Sequence, residues 1–210
     1  QRELNEVWLE PFKRAVEHGA RALITSYNEI DGVPMCANKE LIKDTLKDKW
    51  NFNGFVFSDL GAVEMLKDVY HVAKDYKQAT LIAFKSGIDI DMLGECYNNY
   101  LAELVEDGKI TLKELDDAVK RILKLKFELG LFESPYIDEK KTGKKVRNKA
   151  GEKIALDMAR EGIVLLKNED NILPLNENQN ICLIGPNADN VYNQLGDYTA
   201  FQNRKNIVTI

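Results

Sequence analysis

Three apolar segments of this chain end in a polar residue, and these three residues are evenly spaced. Tyr27, Asp59 and Asp91 stand 32 residues apart, each after a short apolar run that follows an amphipathic stretch. Strands that alternate with helices predict parallel pairing, because a parallel crossover needs a helix-length connection. The spacing agrees with a (β/α)8 barrel, in which about 250 residues form eight units of about 31. An open doubly wound sheet has similar units and stays open as the competing fold.

Helical and strand patterns alternate between these ends. Helices are predicted over 4–18, 39–50 and 76–85, and strands over 22–25, 54–59 and 88–92. A T-x-x-E capping box at Thr111 and Glu114 begins a further helix, which closes at Gly130. Only three such units are visible, so the rest of a barrel is expected from sequence that precedes Gln1.

The composition changes after residue 133, where apolar periodicity almost disappears. Residues 134–150 contain Pro135, Gly143 and several basic side chains, which is typical of an interdomain linker. A predicted helix and two apolar strands then follow, at 151–160, 162–166 and 181–186. The sequence therefore predicts an α/β chain in three parts, namely the C-terminal portion of a barrel at 1–133, a linker at 134–150 and an incomplete second α/β domain at 151–210.

Charge and composition exclude several classes of function. The chain has 29 basic and 34 acidic side chains and a net charge of −5, which argues against a nucleic-acid partner. No apolar run approaches the ~18 residues of a membrane-spanning helix, so no membrane partner is expected. Cys36, Cys96 and Cys182 are widely separated and predict neither a disulfide framework nor a metal site. Nucleotide-binding glycine motifs are also missing, and no cofactor is expected.

Polar residues at the carboxyl ends of parallel strands are candidates for a site, because the active face of such folds lies there. Asp59 stands at a strand end just before Gly61, and either catalysis or helix capping explains it. Tyr27 either packs on the core or donates its phenol to a substrate. Asp91 either lines the pocket rim as a substrate-binding residue or binds loop amides. His71 is expected at the surface or rim and not as a base.

Five segments, in order along the chain, closely resemble the successive motifs of glycoside hydrolase family 3. They are SYNEIDGVP (26–34), GFVFSDLGA (54–62), GIDIDM (87–92), REGIVLLKN (160–168) with LPL (173–175), and IGPNA (184–188). Any one of these motifs is only modestly specific, whereas the ordered set covers essentially the whole chain and is strongly so.

The resemblance implies a retaining, exo-acting β-glycosidase that removes terminal β-linked glucose or xylose through a covalent glycosyl-aspartate intermediate. It also implies a barrel followed by an α/β sandwich domain, with the carbohydrate substrate bound between them. The family's nucleophile falls on Asp59 and its neighbouring tyrosine on Tyr27. Leu60 stands where tryptophan is common in the family. An aromatic platform under the sugar is therefore missing, which puts the substrate preference in question.

The resemblance also places the acid/base glutamate in the second domain, beyond Ile210, so the isolated chain is expected to be catalytically incomplete. A β-N-acetylhexosaminidase of the same family and a non-catalytic sugar-binding homologue stay open as alternatives. An unrelated barrel such as an aldolase would need a Schiff-base lysine, and none of the three strand ends offers one. The sequence leaves open whether the protein forms a homo-oligomer and whether it is cytoplasmic or exported.

Overall fold

The structure is a computed structural model that describes residues 2–146, 148–196 and 198–209. The chain divides into two compact units, of which the first ends at Thr142 and the second begins at Gly143. Among the described residues, no helix combines the length and the apolar character needed to cross a bilayer.

The first unit alternates helices with short strands. The strands are β1 (Ala22–Ile24), β2 (Glu29–Ile30), β3 (Val33–Pro34) and β4 (Phe55–Phe57). The α-helices are α1 (Glu10–Glu17), α2 (Met65–Asp68), α3 (Tyr76–Ser86), α4 (Cys96–Glu106) and α5 (Leu112–Glu128). Leu4–Trp8 and Glu40–Lys49 are π-helical, and Met35–Ala37 forms a 3-10 turn. The helices predicted over 4–18, 39–50 and 76–85 are therefore present, the second with π geometry and the first partly so.

The strands that carry the evenly spaced residues lie side by side and run parallel. β1 pairs with β4 in the register Ala22 to Phe55, Leu23 to Val56 and Ile24 to Phe57. Phe57 forms a parallel bridge to Ile90 on its other side, so the third predicted strand takes its place beside β4. The parallel pairing predicted from the alternation of strands and helices is confirmed, although the third strand is reduced to this single bridge.

Close packing between the first two strands explains a glycine at the start of the second. A Cβ atom at Gly54 would lie 2.1 Å from the main-chain oxygen of Arg21, which is far inside van der Waals contact. Any larger residue would push β4 away from β1 at the point where their pairing begins. Phe55 N–H donates to the same Arg21 oxygen at 3.2 Å, so the close approach is also hydrogen-bonded.

The core of the first unit surrounds β4 and the chain that follows it. Val56, Val63 and Leu66 are fully buried and belong to one cluster with the helices on either side. Burial of one such aliphatic side chain contributes about 1.5–3 kcal/mol. A second cluster, made of Phe84, Leu104, Ile110 and Ala118, joins α3, α4 and α5. The first cluster thus holds β4 and the chain after it, and the second holds the three helices together.

The capping box that was predicted before α5 is confirmed. Glu114 N–H donates to Thr111 Oγ1 at 3.2 Å, and Thr111 N–H donates to Glu114 Oε2 at 2.9 Å. These reciprocal bonds satisfy two amides that the first turn of a helix leaves free.

The second unit contains fewer regular elements than its sequence predicts. Helix α6 (Glu139–Lys145) lies within the predicted linker and contains the division between the two units, whereas α7 (Lys149–Gly162) lies in the second unit and replaces the shorter helix expected over 151–160. The strands expected at 162–166 and 181–186 are not formed, and side chains such as Leu166 and Ile184 are exposed. A strand exists only where a neighbour accepts its backbone hydrogen bonds, and the described residues of this unit supply no such neighbour.

Candidate active site

The carboxyl ends of the three parallel segments meet in one place. Thr25 N–H donates to the Phe57 oxygen at 2.9 Å, and Ser58 N–H donates to the Ile90 oxygen at 2.9 Å. The loops that carry Tyr27, Asp59 and Asp91 therefore leave the sheet next to one another. In parallel α/β folds this edge holds the reacting groups, because the loops that follow the strands converge on it.

Asp59 begins a tight turn and does not cap a helix. Its main-chain oxygen accepts from Ala62 N–H at 3.0 Å, and Gly61 between them has a φ of 64°. A turn of this kind needs a positive φ at its third residue, which favours glycine. Asp59 Oδ1 accepts from the adjacent Leu60 N–H at 2.7 Å, and helix α2 begins only at Met65. The capping alternative is therefore wrong, because no helical amide lies in reach.

The turn is attached to the third strand by two further hydrogen bonds. Gly61 N–H donates to the Met92 oxygen at 3.2 Å, and Met92 N–H donates to Ser58 Oγ at 2.9 Å. Ser58 is completely buried. The half-buried Asp59 thus stands on a loop whose backbone is fixed on both sides, so its carboxylate has a defined direction.

Tyr27 uses its phenol to hold the same turn. Its hydroxyl donates to the main-chain oxygen of Leu60 at 2.8 Å, while 41% of the residue remains exposed. Leu60 itself is half exposed beside Asp59. The hydroxyl of Tyr70 in turn donates to the main-chain oxygen of Tyr27. Sequence reasoning missed Tyr70 and Ser58, because neither contact has a signature in the sequence.

Asp91 lies under the loop that leads into α4. Its Oδ2 accepts from Tyr97 N–H at 3.1 Å, an amide of the first turn of α4, so the carboxylate has a structural role beside the substrate-binding role that was left open. Its side chain, Glu64 and Cys96 offer ligand atoms within 4.8 Å of one another. Burial raises the pKa of Asp91 and raises that of the Cys96 thiol to about 12. Exposed or half-exposed acidic groups often lie this close without an ion, so no metal is assigned to this cluster.

Asp89, only two residues away, belongs to a different environment. Its carboxylate is buried and accepts from Lys47 Nζ at 2.7 Å, from Arg121 Nη2 at 2.7 Å and from Val56 N–H at 2.8 Å. Desolvation lowers the pKa of Lys47 to about 8 despite its ion pair with Asp89. This ionic cluster fixes α5 and the Glu40–Lys49 helix to the sheet.

His71 lies on the surface after α2, as its position in the sequence predicts. Its Nδ1 is 2.8 Å from the main-chain oxygen of Lys67, and the residue is exposed. Neither of these features gives His71 a part in proton transfer at Asp59.

The buried thiols near the site are expected to resist alkylation. Cys36 and Cys96 are 2% and 1% exposed, and burial raises their pKa to about 11 and about 12. Iodoacetamide reacts with the thiolate, so neither cysteine should be labelled in the native full-length protein at pH 8. Peptide mass spectrometry before and after denaturation in urea checks this, and rapid labelling of Cys96 without urea would contradict it.

Curated relatives of this chain are glycosidases. A periplasmic β-glucosidase from Salmonella typhimurium is 35% identical over 206 residues, which make up 95% of this chain and 26% of that protein. A xylan 1,4-β-xylosidase from Xylanibacter ruminicola is 36% identical over 210 residues, covering 96% of this chain and 24% of that protein. The chain thus spans about a quarter of the length of these relatives.

Solved structures with the same fold are also glycosidases. A β-glucosidase from intestinal bacteria, involved in saponin metabolism, superposes with a TM-score of 0.82 at 37% identity, covering 91% of this chain and 25% of that one. A mutant β-glucosidase from Listeria innocua in complex with laminaribiose gives a TM-score of 0.77 at 34% identity, covering 83% of this chain and 24% of that one.

The parallel pairing of β1 with β4, with a carboxylate at its carboxyl edge, defines an α/β scaffold. Residues 1–125 match the family model described as "Glycosyl hydrolase family 3 N terminal domain", and residues 163–210 match "Glycosyl hydrolase family 3 C-terminal domain". The chain belongs to glycosyl hydrolase family 3. It carries the C-terminal part of a (β/α)8-type barrel followed by the start of the α/β sandwich domain.

Proposed function

We propose that the protein containing this chain is a retaining, exo-acting β-glycosidase with Asp59 as its nucleophile. One observation carries the proposal: Asp59 is half-buried at the carboxyl edge of the sheet, and a hydrogen-bonded turn directs its carboxylate. Oδ1 accepts from Leu60 N–H, and Oδ2 has no hydrogen bond within the described part of the chain. An oxygen of this kind is available to attack a sugar.

The proposed reaction has two displacement steps. In the first, an Asp59 oxygen forms a bond to the anomeric carbon while the glycosidic C–O bond breaks, and an acid protonates the departing oxygen. In the second, water attacks the same carbon, the acid now acts as a base, and the Asp59 ester bond breaks. Retaining glycosidases need two carboxyl groups about 5 Å apart for this sequence. The second group is expected to be a glutamate of the C-terminal domain outside this chain.

Three residues around Asp59 are proposed to shape the sugar site. Tyr27 supports the turn through Leu60, and its partly exposed side chain is available to the substrate. Leu60 offers an aliphatic contact where the family commonly has tryptophan, and Asp91 is assigned to the rim of the site. The names of the relatives favour terminal β-linked glucose or xylose as the sugar that is removed.

The β-N-acetylhexosaminidase alternative is disfavoured by one observation. Members of that branch often lack the second domain, whereas residues 163–210 match the family's C-terminal domain.

For the domain limits we propose a barrel portion at 1–133, a linker at 134–150 and the start of the sandwich at 151–210. The division of the chain at Thr142 and Gly143, inside this linker, supports them.

A mechanism-based inhibitor tests the proposal directly. A 2-deoxy-2-fluoro-β-glucoside with a good leaving group should inactivate the full-length protein, and peptide mapping should place the sugar on Asp59. The matching fluoroxyloside identifies which sugar the site prefers. A label on a different carboxylate would remove Asp59 from the mechanism, and the absence of any label or turnover on both sugars would favour the non-catalytic homologue.

A further inference from the structure

Tyr70 connects helix α2 to the loop that follows β1. It follows α2, and its N–H donates to the Met65 oxygen at 2.9 Å. The half-buried ring packs against the main core cluster, and its hydroxyl donates to the main-chain oxygen of Tyr27. The ring therefore has a packing role, whereas the hydroxyl makes a contact that packing does not require.

That contact is the first of three links that end at the proposed nucleophile. Tyr70 holds the backbone of Tyr27, and the Tyr27 hydroxyl holds the Leu60 oxygen at 2.8 Å. Leu60 N–H then donates to Asp59 Oδ1 at 2.7 Å. Because the Leu60 oxygen is fixed from outside the turn, the amide on the other side of the same residue keeps its direction toward the carboxylate.

We propose that Tyr70 is a positioning residue that sets the direction of the Asp59 carboxylate through Tyr27 and Leu60. The proposal rests on the assignment of Asp59 as nucleophile. The hydrogen bonds that the structure describes for Tyr70 go to the Tyr27 and Met65 main-chain oxygens and not to the carboxylate, so we expect Tyr70 to act on the rate of covalent bond formation and not on sugar affinity. Loss of the hydroxyl alone removes the first link and leaves the packed ring in place.

The Tyr70→Phe variant of the full-length protein should reduce kcat for an aryl β-glycoside about 10-fold. A small displacement of a reacting group is sufficient for a loss of this size, since misplacement by about 1 Å costs up to about 100-fold. KM and the affinity for a competitive sugar analogue should change less than about threefold. Inactivation by the fluoroglycoside should slow by the same factor as kcat, because it reports the first displacement.

Tyr76→Phe is the matched control, because Tyr76 lies near by and its hydroxyl donates to Asp68 Oδ2 at 2.9 Å, outside the three links. It should leave kcat unchanged, and both variants should keep the wild-type melting temperature within about 2 °C. The double variant Tyr27→Phe with Tyr70→Phe should lose less activity than the product of the single losses, since both changes interrupt one path.

The outcomes separate this inference from the proposed function. If Asp59 is labelled but Tyr70→Phe keeps wild-type kcat and inactivation rate, the positioning role is wrong and the nucleophile assignment stands. Equal losses in Tyr70→Phe and Tyr76→Phe, or strictly multiplicative losses in the double variant, would also overturn the positioning role. If the label is found on another residue, the proposed nucleophile itself is wrong.

Discussion

Replacement of Asp59 with alanine in the full-length protein should reduce the turnover of aryl β-glycosides by at least about 10³-fold. The covalent intermediate cannot form without this carboxylate, and removal of an enzyme's nucleophile typically costs several orders of magnitude. The fold should persist, because Asp59 is only half-buried and its hydrogen bonds are confined to its own turn. Steady-state kinetics and circular dichroism measure these two effects separately.

Addition of azide should partly restore turnover in the same Asp59→Ala variant. A small anion that enters the space left by the aspartate side chain should attack the anomeric carbon from that side. The expected product is a glycosyl azide of α configuration, with partial recovery of turnover. Asp116→Ala is the control, because Asp116 is an exposed aspartate on α5 and should retain wild-type kinetics. Asp59→Ala activity above about a tenth of the wild-type value would contradict the assignment.

Replacement of Asp89 with alanine should have the largest effect on stability, a loss of about 3 kcal/mol in the unfolding free energy of the barrel portion. The side chain of Asp89 is 1% exposed and that of Lys47 is 11% exposed. Removal of Asp89 leaves the buried Lys47 ammonium without its counter-ion, and breaking a buried ion pair costs about 3–5 kcal/mol. We expect the lower value because the other partner, Arg121, is partly exposed to solvent. Urea denaturation followed by near-ultraviolet circular dichroism measures the change.

The Asp89→Ala penalty should also become smaller as the pH rises from 7 to 9. The folded-state pKa of Lys47 is lowered to about 8, below its unfolded value, so the folded protein releases this proton first. Loss of Asp89 lowers the folded-state pKa of Lys47 further, so the variant gains more stability than the wild type while the pH rises toward 8.

Two further variants serve as controls. Asp89→Ala combined with Lys47→Met should be more stable than Asp89→Ala alone, and Asp48→Ala, at an exposed position, should change little. A penalty that is constant with pH would contradict this account.

Local patterns in the sequence were sufficient to predict the parallel pairing and the position of Asp59. Apolar runs that end in Tyr27 and Asp59 identify the strands, and the 32-residue interval identifies them as neighbours. The different environments of Asp89 and Asp91 were not predictable. Asp89 is paired with Lys47 and Arg121, which lie 42 and 32 residues from it along the chain. Pairwise contacts over such distances leave no periodic signal.

The same reasoning explains the two predictions that failed. Apolar composition correctly marks 162–166 and 181–186 as segments suited to a sheet, but pairing depends on a partner strand that composition cannot supply. The helix that a capping role for Asp59 would require begins only at Met65, because a glycine at positive φ favours a turn first. In both cases a tertiary or turn-level requirement overrides the local propensity.

The tie between Tyr27 and Leu60 joins two successive βα repeats, with one partner from each. A chimaera that received only the loop after β4 would contain Asp59 but not the Tyr27 hydroxyl that holds the Asp59 turn through Leu60. Exchange of activities between related barrels should therefore succeed more often when crossover points lie outside both repeats, so that adjacent units are inherited as a pair.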